Sequence, residues 1–298
     1  EMSRAGGALL LFLRHVIDLE ANIINEDEST ASIVAQIQTI NPDDVQENRS
    51  KLHDACAGKL SERLKEWTAD PERLPKSTYE HRFLIRQGRS NHEQSWLISC
   101  GLFADKHGHL LNQAQEMLDI GEKALPLAGA AVLVNGQGVA DVLTGSVYCA
   151  LPLAIETPLR FHINGYFDLD SSRTQISYAE RPVGDAAVRV QWNLKLLEHG
   201  VAPAAATLFQ ALAEKSDRSQ ISKYYEIWPN MQKLSAAPLS LLGKFIYAKF
   251  SQYPLLRTRA GTDVTWMKPV EVRAPAWSAL LSKALCDDGL RLFDPRPP

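Results

Sequence analysis

Apolar residues recur at two spacings along the chain, and the changes of spacing divide it into segments. Leu9, Leu10, Phe12, Leu13, Val16 and Ile17 form a helical stripe that runs into LEANII, which reads as a strand. TASIVAQIQTI alternates Ile33, Ala35, Ile37 and Thr39 against polar neighbours and predicts a second strand. Pro42, Asp43 and Asp44 suit a helix start: proline lacks the N–H that a first turn leaves unpaired, and carboxylates face the positive end of the dipole. That helix is expected to run to about Trp67, where ADPERLPKS stops it. YEHRFLIRQ and SWLISCGLF then alternate on either side of the polar GRSNHE, as hairpin arms do. HGHLLNQAQEMLDIGEK is irregular and reads as a loop with a short helix.

Three further apolar runs, LPLAGAAVLV, GSVYCALPL and RFHINGYFDL, bring the count to five closely spaced strands and predict a mostly antiparallel sheet. VRVQWNLKLLEHGVAPAAATLFQALAEK carries Val190, Leu194, Leu197, Val201, Leu208 and Leu212 at helical spacing, with Pro203 expected to kink or divide it. YYEIWPN, an apolar helix LSLLGKFIYAKF, strand-like pieces around Val264 to Val272 and a last helix WSALLSKALC follow. The pattern predicts three parts: a helix, strand and helix module over 1–78, a sheet-and-helix core over 79–215, and a smaller α/β appendage over 216–298. The expected class is α/β in the α+β sense, a mixed sheet covered by helices.

With 298 residues, 45% hydrophobic and 22% charged, the chain can bury a large core without disulfides or a structural metal. A net charge of −3 with no single-sign block argues against nucleic-acid and membrane-surface binding. Cys56, Cys100, Cys149 and Cys286 form no Cys-x-x-Cys pair and read as thiols in a reducing, cytoplasmic setting. The opening apolar run is too short to span a bilayer and is broken by Arg14, His15 and Asp18. A first residue other than methionine, followed at once by a periodic segment, suggests a piece of a longer polypeptide.

Most motifs that would carry chemistry are incomplete. Asp141 occupies the third glycine position of a dinucleotide fingerprint in NGQGVAD, and there is no Walker A sequence and no Gly-x-Ser-x-Gly elbow. His107 and His109 lack a fourth ligand at finger spacing and read as scattered loop histidines, so no metal is expected. Asp168 and Asp170 share a face if extended and could hold Mg²⁺, but beside Ser171 and Ser172 they read as turn and cap carboxylates. Trp192 reads as a core anchor and His162 as a hydrogen-bonded core residue.

The stretch FHINGYFDLDSSRTQI begins as a strand and ends in N-cap residues, which predicts that Arg173 sits in the first turn of a helix. A cation there opposes the dipole, whereas an anion at that helix start would meet free N–H groups and the guanidinium together. The alternative is a surface arginine paired with Asp168, Asp170 or Glu180.

YCALPLAIETPLRFHINGYFDLDSSRTQI, followed by VQWNLKLLEHGVAPAAATLFQAL and YYEIWPN, resembles the repeat regions of the sacsin family, in which an Hsp90-like ATP-binding segment precedes a segment of this kind. The match is carried by Leu151, Pro152, Leu153, Glu156, Thr157, Phe161, His162, Asn164, Gly165, Phe167, Ser172, Arg173, Trp192, Asn193, Leu196, Leu197, Ala202 and Pro203, over about residues 96–229. The resemblance implies an Hsp90-middle-like fold, similar in part to ribosomal protein S5, and work as a chaperone or co-chaperone. It also implies that Arg173, positioned by Ser172, reaches the γ-phosphate of ATP. Thr174 stands where Hsp90 commonly has an acidic residue. The nucleotide-domain signatures are absent from the sequence, so ATP and Mg²⁺ are expected in a preceding domain and the chain alone is expected to be inactive. The implied partners are that ATP-binding domain and client or cytoskeletal proteins. A non-catalytic scaffold is the alternative, with Tyr224, Tyr225 and Trp228 as exposed docking aromatics.

Overall fold

A long antiparallel hairpin forms the centre of the sheet. The computed structural model describes residues 6–13, 15–24, 31–87, 89–135, 138–140, 144–216, 220–234, 237–260, 263–272 and 292–293. The two alternating runs around GRSNHE form β3 (Lys76–Gln87) and β4 (Ser90–Leu102), paired from Lys76↔Gly101 to Gln87↔Ser90. β2 (Ala31–Thr39) pairs with β3 and β1 (Leu19–Ile24) with β2, so these entry strands belong to the same sheet, and the expected boundary after residue 78 falls inside β3. On the other side of β4 lies β5 (Leu127–Asn135), which pairs with the short β6 (Gly138–Val139) and with β9 (His162–Gly165). β7 (Gly145–Cys149) runs parallel to β9, and β8 (Leu151–Thr157) closes the edge. Every other neighbouring pair is antiparallel, which gives a mixed sheet of nine strands. β10 (Leu256–Ala260), β11 (Asp263–Met267) and β12 (Leu292–Phe293) make a second, three-stranded sheet.

Both faces of the main sheet are covered, which is why β4 is buried without interruption from Trp96 to Leu102. Trp96, Ile98 and Cys100 pack under the N-terminal segment and α1 (Pro42–Cys56), together with Leu10, Leu11, Val45 and Phe83. The expected opening helix is a single 3-10 turn, Gly6–Leu10, because the chain passes tightly over β3: a Cβ on Gly7 would lie 2.3 Å from the Phe83 ring. Arg49 of α1 is buried and donates to the carbonyls of Leu10 and Val16, at 2.6 and 2.9 Å, tying that segment down. The helix expected to reach Trp67 is two helices, since Gly58 at φ +96° breaks α1 from α2 (Leu60–Ala69).

Leu97, Ala128, Ala130 and Val132 face the opposite layer of helices. The irregular segment after Gly108 is a regular helix, α3 (His109–Asp119), whose Leu110, Leu111, Ala114 and Met117 are buried. α4 (Asp185–Leu196) continues through a π-turn, Leu197–Val201, into α5 (Ala202–Lys215). Pro203 has no N–H to give the carbonyl four residues back, and the chain widens there: the Ala202 N–H reaches the Leu197 carbonyl. α6 (Ile221–Glu226) and α7 (Leu239–Phe250) stack on α5 through Phe209, Tyr224, Trp228 and Phe250. The predicted last helix WSALLSKALC, and Cys286 within it, lie outside the described residues.

Two histidines are sealed in the sheet. His162 accepts a hydrogen bond on Nδ1 from the Ser146 N–H at 2.9 Å and packs between Trp96 and Tyr148, in line with a core role. His81 is fully buried, 3.0 Å from Thr39 Oγ1. Burial pushes their pKa values down to about 4 and about 3, the nearby Arg49 charge adding to the effect at His81. Between those values and the unfolded value of about 6.5, the unfolded chain binds protons that the folded one refuses. Stability is therefore expected to fall as pH drops from 6.5 towards 4, by up to about 1.4 kcal/mol per pH unit for each histidine. Urea unfolding across that range checks this, and a midpoint constant from pH 7 to 4.5 contradicts it.

Candidate functional site

The segment after β9 does not enter a helix. Leu169 and Ile176 bridge in antiparallel fashion, and residues between them form a tight loop closed by the Asp170 N–H to the Gln175 carbonyl and the Arg173 N–H to the Asp170 carbonyl, at 3.0 and 2.9 Å. The next helix, α4, begins only at Asp185. Arg173 therefore has no helix N-terminus around it, and Ser172 is a turn residue rather than a cap.

The cause is the alternative use that residues such as Asp and Ser make of the backbone. Asp170 Oδ1 accepts from the N–H groups of Thr174 and Gln175 at 2.8 and 3.1 Å. Its Oδ2 accepts from Ser172 Oγ at 2.7 Å, and Ser172 Oγ also lies 2.7 Å from Thr174 Oγ1. These bonds, led by that from Ser172, hold the Asp170 carboxyl below its ordinary pKa. Arg173 adopts φ +56°, a left-handed conformation that ends any helical path.

α4 anchors the base of this loop. Asn193, 1% exposed, accepts from the Asp168 N–H on Oδ1 at 2.8 Å and donates through Nδ2 to the Asp168 and Ser177 carbonyls at 2.8 and 2.9 Å. One amide thus clasps both strands of the loop. One turn earlier on the same helix, Arg189 pairs with Asp168 and Glu122 at 3.0 and 2.6 Å. Trp192 is fully buried and donates Nε1 to the Tyr166 carbonyl at 2.9 Å, so it is the core anchor expected of it.

Neither Asp168 nor Asp170 is free for Mg²⁺, because the first is held by Arg189 and the second by its own loop. Asp168 and Asp170 are likewise no partners of Arg173. The Arg173 side chain is exposed and makes no hydrogen bond or ion pair among the described residues. Beside the loop lies a cleft of about 440 Å³ lined by Lys123, Leu125, Cys149, Asn164 and Tyr166, among others. Burial pushes the Cys149 thiol up, while its contact with the Phe167 carbonyl and the charge of Arg173 oppose that. Arg173 is thus close enough to the cleft wall for its field to be felt there. Cys56 and Cys149 line the cleft half-buried, and Cys100 is sealed in the opposite core.

The docking aromatics of the scaffold reading are not a surface. Tyr224 is fully buried and gives its hydroxyl to the Leu255 carbonyl at 3.1 Å, while Tyr225 and Trp228 are half-buried in the same aromatic stack. Among the described residues, no helix is long and apolar enough to cross a membrane.

The architecture defines an α+β protein with one unpaired arginine on a braced surface loop. Over 68 residues, 23% of its length, the chain is 41% identical to sacsin from Homo sapiens, and the match spans 1% of that much longer protein. No family model and no solved structure matches the chain.

Asn193 was visible in the sequence only as a neighbour of Trp192, because nothing in a linear pattern shows an amide facing two strands of a loop. Asn193→Ala leaves the part-buried Asp168 N–H and Ser177 carbonyl without their partner and is expected to lower stability by about 2–3 kcal/mol. Urea denaturation measures this, and hydrogen exchange should show faster exchange at the Asp168 and Ser177 amides. A cost under about 0.5 kcal/mol removes the clasp from the account.

Proposed function

We propose that this chain is the middle-type segment of a sacsin-like chaperone repeat, and that Arg173 contacts the γ-phosphate of a nucleotide carried by a separate ATP-binding domain. The observation that carries the reading is an exposed guanidinium without an internal partner, on a loop fixed from below by Asn193 and from within by Asp170. A left-handed backbone costs an arginine about 1 kcal/mol relative to glycine, yet no described residue of the loop uses its side chain. Such a group matches phosphate chemistry: planar, always charged, and able to donate two parallel hydrogen bonds.

The helix-dipole contribution expected from the sequence drops out, and the guanidinium acts through its own charge and donors. Lys123 on the rim of the cleft adds a second cation on the same side. The likeness to sacsin over 68 residues supports the wider assignment, with cytoplasmic chaperone work on client or cytoskeletal proteins. The fold would then be of the Hsp90-middle, S5-like kind. No chemistry happens on this segment alone.

Arg173→Ala in the full-length protein is the test. ATP turnover should fall, by up to about 10³-fold if the arginine works as a finger, while the unfolding free energy stays within about 0.5 kcal/mol of wild type because the side chain makes no hydrogen bond or ion pair among the described residues. Unchanged turnover by a folded variant overturns the reading, as does ATP hydrolysis by the isolated 298-residue chain.

A further inference from the structure

On the helical side of the sheet, two histidines and an aspartate from distant parts of the chain converge. Asp105 precedes α3, His109 is its first residue, and His199 stands in the middle of the π-turn between α4 and α5. One ligand-capable atom of each lies within 4.8 Å of the other two. His109 Nδ1 is 2.9 Å from Asp105 Oδ1, and the imidazoles of His109 and His199 lie nearly parallel with centroids 5.7 Å apart.

His199 is the unusual member. Its side chain is 11% exposed, and neither ring nitrogen has a hydrogen-bond partner. Nε2 lies 3.3 Å from Glu198 Oε2 but is not aligned to donate to it, and the same oxygen already accepts from Lys195 at 3.0 Å. A buried imidazole with both nitrogens unmet is costly. It is accounted for if a lone pair there meets something other than a protein donor.

We infer that Asp105, His109 and His199 form a binding site for a divalent transition metal, with Zn²⁺ the ion that two imidazoles and one carboxylate suit best. Asp105 accepts from the N–H groups of His107 and Leu110 at 3.0 and 3.1 Å, so its carboxylate is fixed before any metal arrives. The π-turn supplies the third ligand: widening the helix at Leu197–Val201 is what sets His199 opposite the start of α3. The ion clips α3 to the α4–α5 rod and leaves a fourth position for water.

The test titrates Zn²⁺ into the chelator-treated chain by calorimetry and records the visible spectrum of the Co²⁺ form. One ion per chain, a Co²⁺ spectrum of tetrahedral intensity without thiolate charge transfer, and a rise in melting temperature with Zn²⁺ are expected. His109→Ala, at a half-exposed position that leaves the fold intact, should weaken binding at least about tenfold. His199→Ala should do the same, and His107→Ala, whose residue lies outside the cluster, should bind as wild type. No stoichiometric uptake by the wild-type chain overturns the inference. So does equal affinity in His109→Ala, or a Co²⁺ spectrum dominated by cysteine. Since Arg173 plays no part, these outcomes are independent of the nucleotide reading.

Discussion

The approach of Gly200 to Ala128 sets the position of everything on the helical face. A Cβ at Gly200 would lie 3.0 Å from the Ala128 Cβ and from Leu196 Cδ1, closer than side chains pack without displacement. The small residues of β5 and the alanines of α5, fully buried at Ala202, Ala204, Ala205 and Ala206, let the rod lie almost against the sheet backbone. Helix and strand pack at that distance only where both surfaces are nearly flat. Once the π-turn is seated there, α4 runs upstream at one fixed angle and places Trp192, Asn193 and Arg189 under the loop after β9. The same seating points His199 the other way, towards α3. One contact between two small residues thus fixes both the brace of the Arg173 loop and the imidazole of the histidine cluster.

Proline explains why the turn widens at that point. An uninterrupted α-helix would need an N–H at Pro203 to satisfy the His199 carbonyl, and there is none. The helix absorbs the missing bond by adding a residue to one turn, and the Ala202 N–H passes to Leu197. An added residue rotates everything upstream by about a quarter of a turn relative to a straight helix.

Much of the sheet was legible because strand alternation survives burial on one face at a time. β2, β3 and the Ser95 to Leu102 part of β4 read as strands, whereas Ser90 to Glu93, read as part of the polar turn, continue β4, and the mixed α+β class follows from these strands. α3 was obscured because Gln113 and Gln115 interrupt its stripe, although Gln113 is itself buried and reaches Glu116 and the Val188 carbonyl. The junction after β9 misled for a sharper reason. Asp170, Ser171 and Ser172 have the same donors and acceptors whether they start a helix or close a loop, and the choice between them rests on the backbone angle at Arg173. The histidine cluster was half visible: His107 and His109 stood out, but the residues that matter beside His109 are one bend earlier and ninety positions later. Separation in sequence hides any site assembled by a packed rod.

The two sites differ in what holds them, and the difference bears on what each is able to do. Asp105 and His199 are nearly enclosed, and backbone N–H groups hold the Asp105 carboxylate in place, so a ligand there would meet a preset frame inside this chain. Arg173 is the opposite: its backbone is fixed, but its side chain has several torsions and is exposed. Held that way, a guanidinium contributes little stability to its own fold, because an exposed charge is screened and its rotamers remain free. Its field becomes strong only when another surface covers it and excludes water, since the same charge acts several times more strongly at low dielectric. On the proposed reading that surface belongs to the nucleotide-bearing domain, and the bracing by Asn193 presents the arginine to it from a fixed base.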